Sequence, residues 1–195
     1  MTPPPSVRLP LILASASPQR QALLRRLGVR FEARPVDAAE LDRGDPEEVA
    51  LANALSKARA ARVADRAEAV IGCDTVVAHG GEIYGKPADE RAARATLRAL
   101  SGETHEVISG LALALPDGER TATARTAVSF RDLSEDLLAW YLALGEWRGR
   151  AGGYAIQGAG SALVRAIEGD YENVVGLPLA TLLDLYPGLL LPRRL

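Results

Sequence analysis

The sequence of 195 residues predicts a mixed α/β domain. Three observations lead there. An apolar strand, Leu11 to Ala14, passes through a turn of small residues into a helix. A long alanine-rich helix, Pro46 to about Val63, precedes the apolar strand Ala69 to Val77. Turn signals at His79–Glu82 and Pro116–Gly118 then fold later strands into hairpins. Strands alternating with helices and hairpins are the pattern of a sheet with helices packed on it. A chain of this length buries roughly 70% of its unfolded surface. A net charge of −2 excludes a general attraction to nucleic acid or to an anionic membrane surface. One cysteine excludes an internal disulfide framework and a Cys-based zinc cluster, and His79 and His105 are too few for a His-rich metal site. A cytoplasmic location is expected.

Residues 1–8 are Pro-rich and read as a disordered tail; residues 9–195 read as a single domain. Ala14-Ser15-Ala16 imitates a signal-peptidase site, but the apolar run before it is too short for a signal peptide. The first strand opens into Ser15-Ala16-Ser17-Pro18-Gln19-Arg20. Ser17 suits an N-cap and Pro18 the first helical position. Leu23, Leu24 and Leu27 form the apolar stripe, and Gly28 stops the helix. Free amides at a helix start favour phosphate, and Arg20 in the first turn opposes the helix dipole unless an anion is near. An ordinary capped helix with a surface arginine fits the same pattern.

Phe31 to Pro35 is a short strand, and residues 36–45 form an acidic loop containing Glu40. On the following helix Val49, Asn53, Lys57 and Ala60 recur at helical spacing. Lys57 matters because 21 of the 23 basic residues are arginine, and only Lys57 and Lys86 are lysine. Lysine is a compact point charge, whereas arginine is a planar fork. The central strand then carries Asp74 and Thr75. A carboxylate in a buried strand is costly unless it has a partner or a task. The hairpin returns Lys86 beside that strand, and Pro87 keeps Gly85-Lys86 extended. An acid and an ammonium so placed fit phosphate-and-metal chemistry, and equally a plain salt bridge. Gly85-Lys86 is not a P-loop, whose other residues are missing.

Asp89 to Leu100 is an amphipathic, Arg-rich helix. Val107–Leu115 and Thr121–Phe130 are strands, and Ser134 caps a helix that Gly145 ends. Seven glycines fall between positions 149 and 176, a density of tight loops and close backbone approach. Gln157 is expected between a strand and a Gly-rich turn. Its amide both donates and accepts, matching N3–H and O4 of uracil or thymine; bonding to local backbone is the alternative. A last helix runs through Leu185.

Five segments, in this order, resemble the Maf family of nucleoside triphosphate pyrophosphatases. They are Ser15–Arg20; Asp74-Thr75-Val76-Val77 with Gly85-Lys86-Pro87; Ser101–His105; Gly152–Gly158; and Gly169–Pro178. The resemblance spans residues 11–185. It implies a homodimer with a long mixed sheet flanked by helices and two lobes around a cleft, similar to the inosine triphosphate pyrophosphatase fold. It also implies hydrolysis of a nucleoside triphosphate to monophosphate and pyrophosphate, clearance of nucleotides from the pool, and restraint of septum formation. Carried onto this chain, it makes Asp74 the catalytic proton acceptor, with Lys57, Lys86, Arg20 and the segment from Ser15 to Ser17 on the phosphates. Glu40 joins Asp74 as a candidate metal ligand for Mg²⁺ or Mn²⁺. An isolated Asp is a weak base at neutral pH, so Asp74 is expected to act largely through that metal. In the dTTP/UTP subgroup three positions choose the base; here they hold Gln19, Thr75 and Gln157. Thr75 and Gln157 match, whereas Gln19 replaces an arginine and leaves stringency open. A preference for modified or purine triphosphates, or a nucleotide-binding regulator of division with little turnover, are the alternatives.

Overall fold

The computed structural model describes residues 9–190; the tail expected at residues 1–8 lies outside them. Strand β1 (Leu11–Leu13) feeds helix α1 (Pro18–Arg26), and β2 (Glu32–Ala33) follows. Helix α2 (Pro46–Ala61) leads to the long strand β3 (Ala69–His79) and its short return β4 (Glu82–Tyr84). Then come α3 (Glu90–Leu100), β5 (Thr104–Leu115), β6 (Gly118–Phe130) and α4 (Glu135–Ala143). Two 3₁₀ turns precede β7 (Val164–Glu168), α5 (Tyr171–Val175) and α6 (Leu179–Leu185). The expected mixed sheet flanked by helices is what forms. Seven strands make one sheet in the order β2-β1-β3-β5-β6-β7, with β4 added to β3.

Local chemistry explains the elements. Ser17 caps α1, its hydroxyl accepting from the Arg20 amide, and Pro18 opens the helix. Asp45 caps α2 by accepting from the amides of Glu47 and Glu48, which also place acids in the first turn. The turn between β3 and β4 needs positive φ at both central residues, supplied by Gly80 (60°) and Gly81 (85°). One expectation differs: Tyr154 and Ala155 lie in a loop, not a strand, so Gln157 sits in a turn between two 3₁₀ segments.

The edge of β3 decides where a site can be. Its first residues, Ala69–Ile71, pair in parallel with β1, and its last, Val77–His79, pair antiparallel with β4. Between them Gly72 to Val76 have only β5 beside them. The sheet is therefore notched at Asp74 and Thr75. A crevice at the carboxyl end of a strand, where neighbours change, is the usual place for a ligand in an open sheet.

The core repeats this division. On one face, Ile71, Cys73, Leu111 and Leu113 pack with α1 and α6, and Val77, Val107 and Phe130 pack with α3 and α4. Between these clusters lie Thr75 and Ser109, whose hydroxyls are 2.8 Å apart. On the opposite face α2 covers the sheet with alanines, in one cluster around Ala54 and Ala58 and another around Val49 and Ala50. Asp74 falls between those two. A polar belt thus crosses both faces at residues 74 and 75.

Candidate active site

The period of two along β3 sends Asp74 toward α2 and Thr75 to the other face. Both border one cleft of about 540 Å³, because the notch opens the sheet there. Ser15, Ser17, Gln19, Arg20, Glu40, Lys57, Lys86 and Gln157 line the same cleft, so all ten candidate residues meet in one place.

Close approach of α2 makes the Asp74 side possible. A Cβ on Gly72 would lie 2.1 Å from the Ala54 carbonyl oxygen, and one on Gly110 2.3 Å from that of Ala50. Two glycines and an alanine face let the helix backbone settle on the sheet. Asn53 and Lys57, one turn apart on α2, then reach Asp74. Lys57 Nζ donates to Asp74 Oδ1 at 2.6 Å, and Asn53 Nδ2 donates to Oδ2 at 3.0 Å. Lys57 also pairs with Glu40 Oε1 at 2.7 Å. Asn53 holds the acidic loop in place: its Oδ1 accepts from the Leu41 amide at 2.7 Å, and Nδ2 donates to the Leu41 carbonyl at 3.0 Å.

Asp74 is 9% exposed. Burial pushes its carboxyl pKa up, but the Lys57 ammonium, the Asn53 amide and the Arg20 guanidinium outweigh burial and hold it below its ordinary value. At neutral pH it is a carboxylate. Its cation is Lys57. Lys86, the hairpin lysine, is exposed and makes no ion pair or hydrogen bond with a described residue. The simple hairpin salt bridge is therefore not formed.

On the Thr75 face, Arg20 reaches across from α1. Its Nε donates to the Gly176 carbonyl at 2.8 Å, and its terminal nitrogens donate to Ser15 Oγ at 3.3 Å and Thr75 Oγ1 at 3.2 Å. All three acceptors are neutral, so its charge has no acid partner among the described residues. The amides of Ser15 and Ser17 are occupied, by the Leu13 carbonyl and by Ser15 Oγ. Gln19 Oε1 accepts from the Ser17 hydroxyl at 3.1 Å. Gln157 is exposed on the rim.

Charge sets the character of the cleft. Arg20, Lys57, Lys86, Arg148 and Arg150 line it against Glu40 and Asp74 alone. Five cations face two carboxylates in a protein whose net charge is −2. Such a concentration draws polyanions. Glu40 and Asp74 converge on a single cation, the Lys57 ammonium. Their oxygens are the hard donors that Mg²⁺ takes alongside substrate phosphates. No group of three or more His, Cys, Asp or Glu suited to a metal occurs among the described residues.

Sequence reasoning placed Asn53 on the helix face but gave it no task, and it passed over Arg148 and Arg150. The signal for Asn53 was a polar amide one turn before Lys57 on an alanine face. For Arg150 it was an arginine set among glycines 149, 152 and 153.

The dTTP/UTP pyrophosphatase of Pyrococcus furiosus is 43% identical over 176 residues, covering 90% of this chain and 93% of its own. That of Deinococcus radiodurans is 46% identical over 179 residues, covering 91% and 92%. That of Myxococcus xanthus is 44% identical over 188 residues, covering 94% and 95%. Residues 10–188 match the Maf-like protein family, which takes in β1, the notched strand and the Gly-rich loops. This chain belongs to the Maf family.

Proposed function

We propose that this protein is a nucleoside triphosphate pyrophosphatase that hydrolyses dTTP and UTP to the monophosphate and pyrophosphate. The observation that carries the reading is the cleft with five cations around one buried carboxylate. The names of the relatives, dTTP/UTP pyrophosphatase in each case, support the substrate class.

The residues divide the work. Arg20, Lys57 and Lys86 neutralise the triphosphate, which lowers the cost of bringing a nucleophile to it. Asp74 orients the attacking water at the α-phosphorus and takes its proton. With Lys57 resting on it, Asp74 is a poor base. A bound triphosphate competes for the Lys57 ammonium, and any loosening of that contact makes Asp74 more basic when substrate is present. Asp74 and Glu40 would hold a divalent cation, Mg²⁺ or Mn²⁺. That cation supplies further neutralisation of the phosphates and a more acidic water. Thr75, Gln157 and Gln19 read the base. Gln19 is neutral and turned onto Ser17, so selection against other bases rests more on Thr75 and Gln157.

The protein is expected to act as a cytoplasmic homodimer, a state that sedimentation tests directly. Among the described residues no helix is long and apolar enough to cross a membrane. The test of function is a panel of standard and modified triphosphates with Mg²⁺ or Mn²⁺ in ¹⁸O-water. Pyrophosphate release from dTTP and UTP, with label in the monophosphate, is expected. A marked preference for purine or modified triphosphates replaces the substrate assignment. No release from any triphosphate leaves a nucleotide-binding regulator.

A further inference from the structure

Arg150 stands apart from the other well-placed arginines. Arg34 forks onto Glu68, Arg59 onto Glu119, Arg98 onto Glu135, and Arg125 onto Glu47 and Glu106. The Arg150 guanidinium makes no ion pair or hydrogen bond with a described residue, and its Nε is shielded from solvent without an acceptor. Arg150 as a whole is half-buried, but a shielded N–H donor without an acceptor is costly and demands an explanation. The acid four residues earlier, Glu146, does not supply one. Its two oxygens accept from the amides of Ala159 at 3.1 Å and Gly160 at 3.0 Å.

The backbone around Arg150 is fixed rather than loose. Its amide donates to the Trp147 carbonyl at 3.2 Å, and its carbonyl accepts from the Gly153 amide at 3.1 Å. The Gly152 amide donates to the Gly85 carbonyl at 3.1 Å, fastening the segment to the residue before Lys86. Gly152 has φ 67°, and a Cβ there would lie 2.9 Å from the Val77 side chain. The turn is therefore pressed onto β3 just past the notch, and Arg150 lines the cleft that holds Asp74 and Lys86.

We propose that Arg150 is a further substrate-binding residue, donating its guanidinium to a phosphate oxygen of the triphosphate from the wall that carries Lys86. This rests on the reading of the cleft as a triphosphate site. The missing acceptor is then the ligand's own. A guanidinium suits it because its fork meets phosphate oxygens in pairs.

The test is calorimetric binding of inorganic tripolyphosphate to the full chain, with melting temperatures measured on the same samples. Arg150→Gln is expected to weaken tripolyphosphate roughly tenfold or more, the scale of a lost charge-assisted contact. Its melting temperature should hold or rise, since a shielded donor without an acceptor is removed. Arg150→Lys should fall between. Unchanged affinity overturns the proposal, whether or not the melting temperature drops, and so does a wild-type chain that does not bind tripolyphosphate. If Arg150→Gln fails to fold, Arg150→Lys decides: several-fold weaker binding supports the proposal, and equal binding overturns it. Failure of the pyrophosphatase reading is seen separately, as absence of pyrophosphate release from every triphosphate by wild-type protein.

Discussion

Lys57 joins the two carboxylates of the cleft, and its loss should be felt in both stability and turnover. Lys57→Met keeps the length of the side chain but leaves Asp74 with only Asn53 and the more distant Arg20. Removing one partner of a buried pair costs roughly 3–5 kcal/mol; this pair borders the cleft's water, so about 2 kcal/mol is expected. Thermal melts should record it, and kcat/KM for dTTP should fall by about 10² or more in the same protein. Asn53→Ala should release the acidic loop from its two bonds to Leu41, raising the KM for the metal if Glu40 is a ligand. Asp74 was legible as a site residue because a carboxylate inside Val70–Val77 has no cheap explanation. Asn53 and Arg150 were not legible. Their meaning depends on contacts with residues distant in sequence, such as Asp74, 21 positions from Asn53, and Gly85, whose carbonyl anchors the Arg150 turn.

The seat of α2 on the sheet governs the whole Asp74 side. Gly72→Ala would drive a Cβ into the Ala54 carbonyl, and the helix must lift. An overpacked core of this kind costs about 3 kcal/mol, or roughly 6–12 °C in a domain of this size. Turnover should fall with it, because the same helix carries Asn53 and Lys57. Gly85→Ala, where a Cβ meets nothing within 4 Å, should change stability by no more than about 0.5 kcal/mol. Elements set by local chemistry were readable in advance: the Ser17-Pro18 start of α1, the Asp45-Pro46 start of α2, the Gly80-Gly81 hairpin. Strand β7 was not, since most of its residues are exposed and its pairing to β6 is an edge contact. The notch was invisible as well, for it depends on which two strands share one edge of β3.

Across the whole molecule, stability should follow pH through His105. It is fully buried against Phe130 and Tyr154, with Tyr154 Oη 2.9 Å from its Nε2. Burial pushes its pKa down from 6.5 to about 4. The unfolded chain thus binds the proton first, and stability is highest above about pH 6.5 and lost as pH falls toward 4. The loss from this group approaches about 3 kcal/mol. His105→Gln, which stays neutral, should flatten the melting temperature across that window. Asp74 adds a second decline at lower pH. Its folded pKa is depressed, so the stability it contributes is present above the unfolded value near 4 and lost only below it.

In the proposed mechanism Asp74 performs the chemistry in a cleft whose cations hold the triphosphate. Asp74→Asn keeps the shape and the bond to Asn53 while removing the charge. Pyrophosphate release from dTTP by this variant, measured with dTTP binding on the same preparation, tests the claim most directly. Loss of release by 10³ or more with binding retained is the predicted result. Release at the wild-type rate would contradict it.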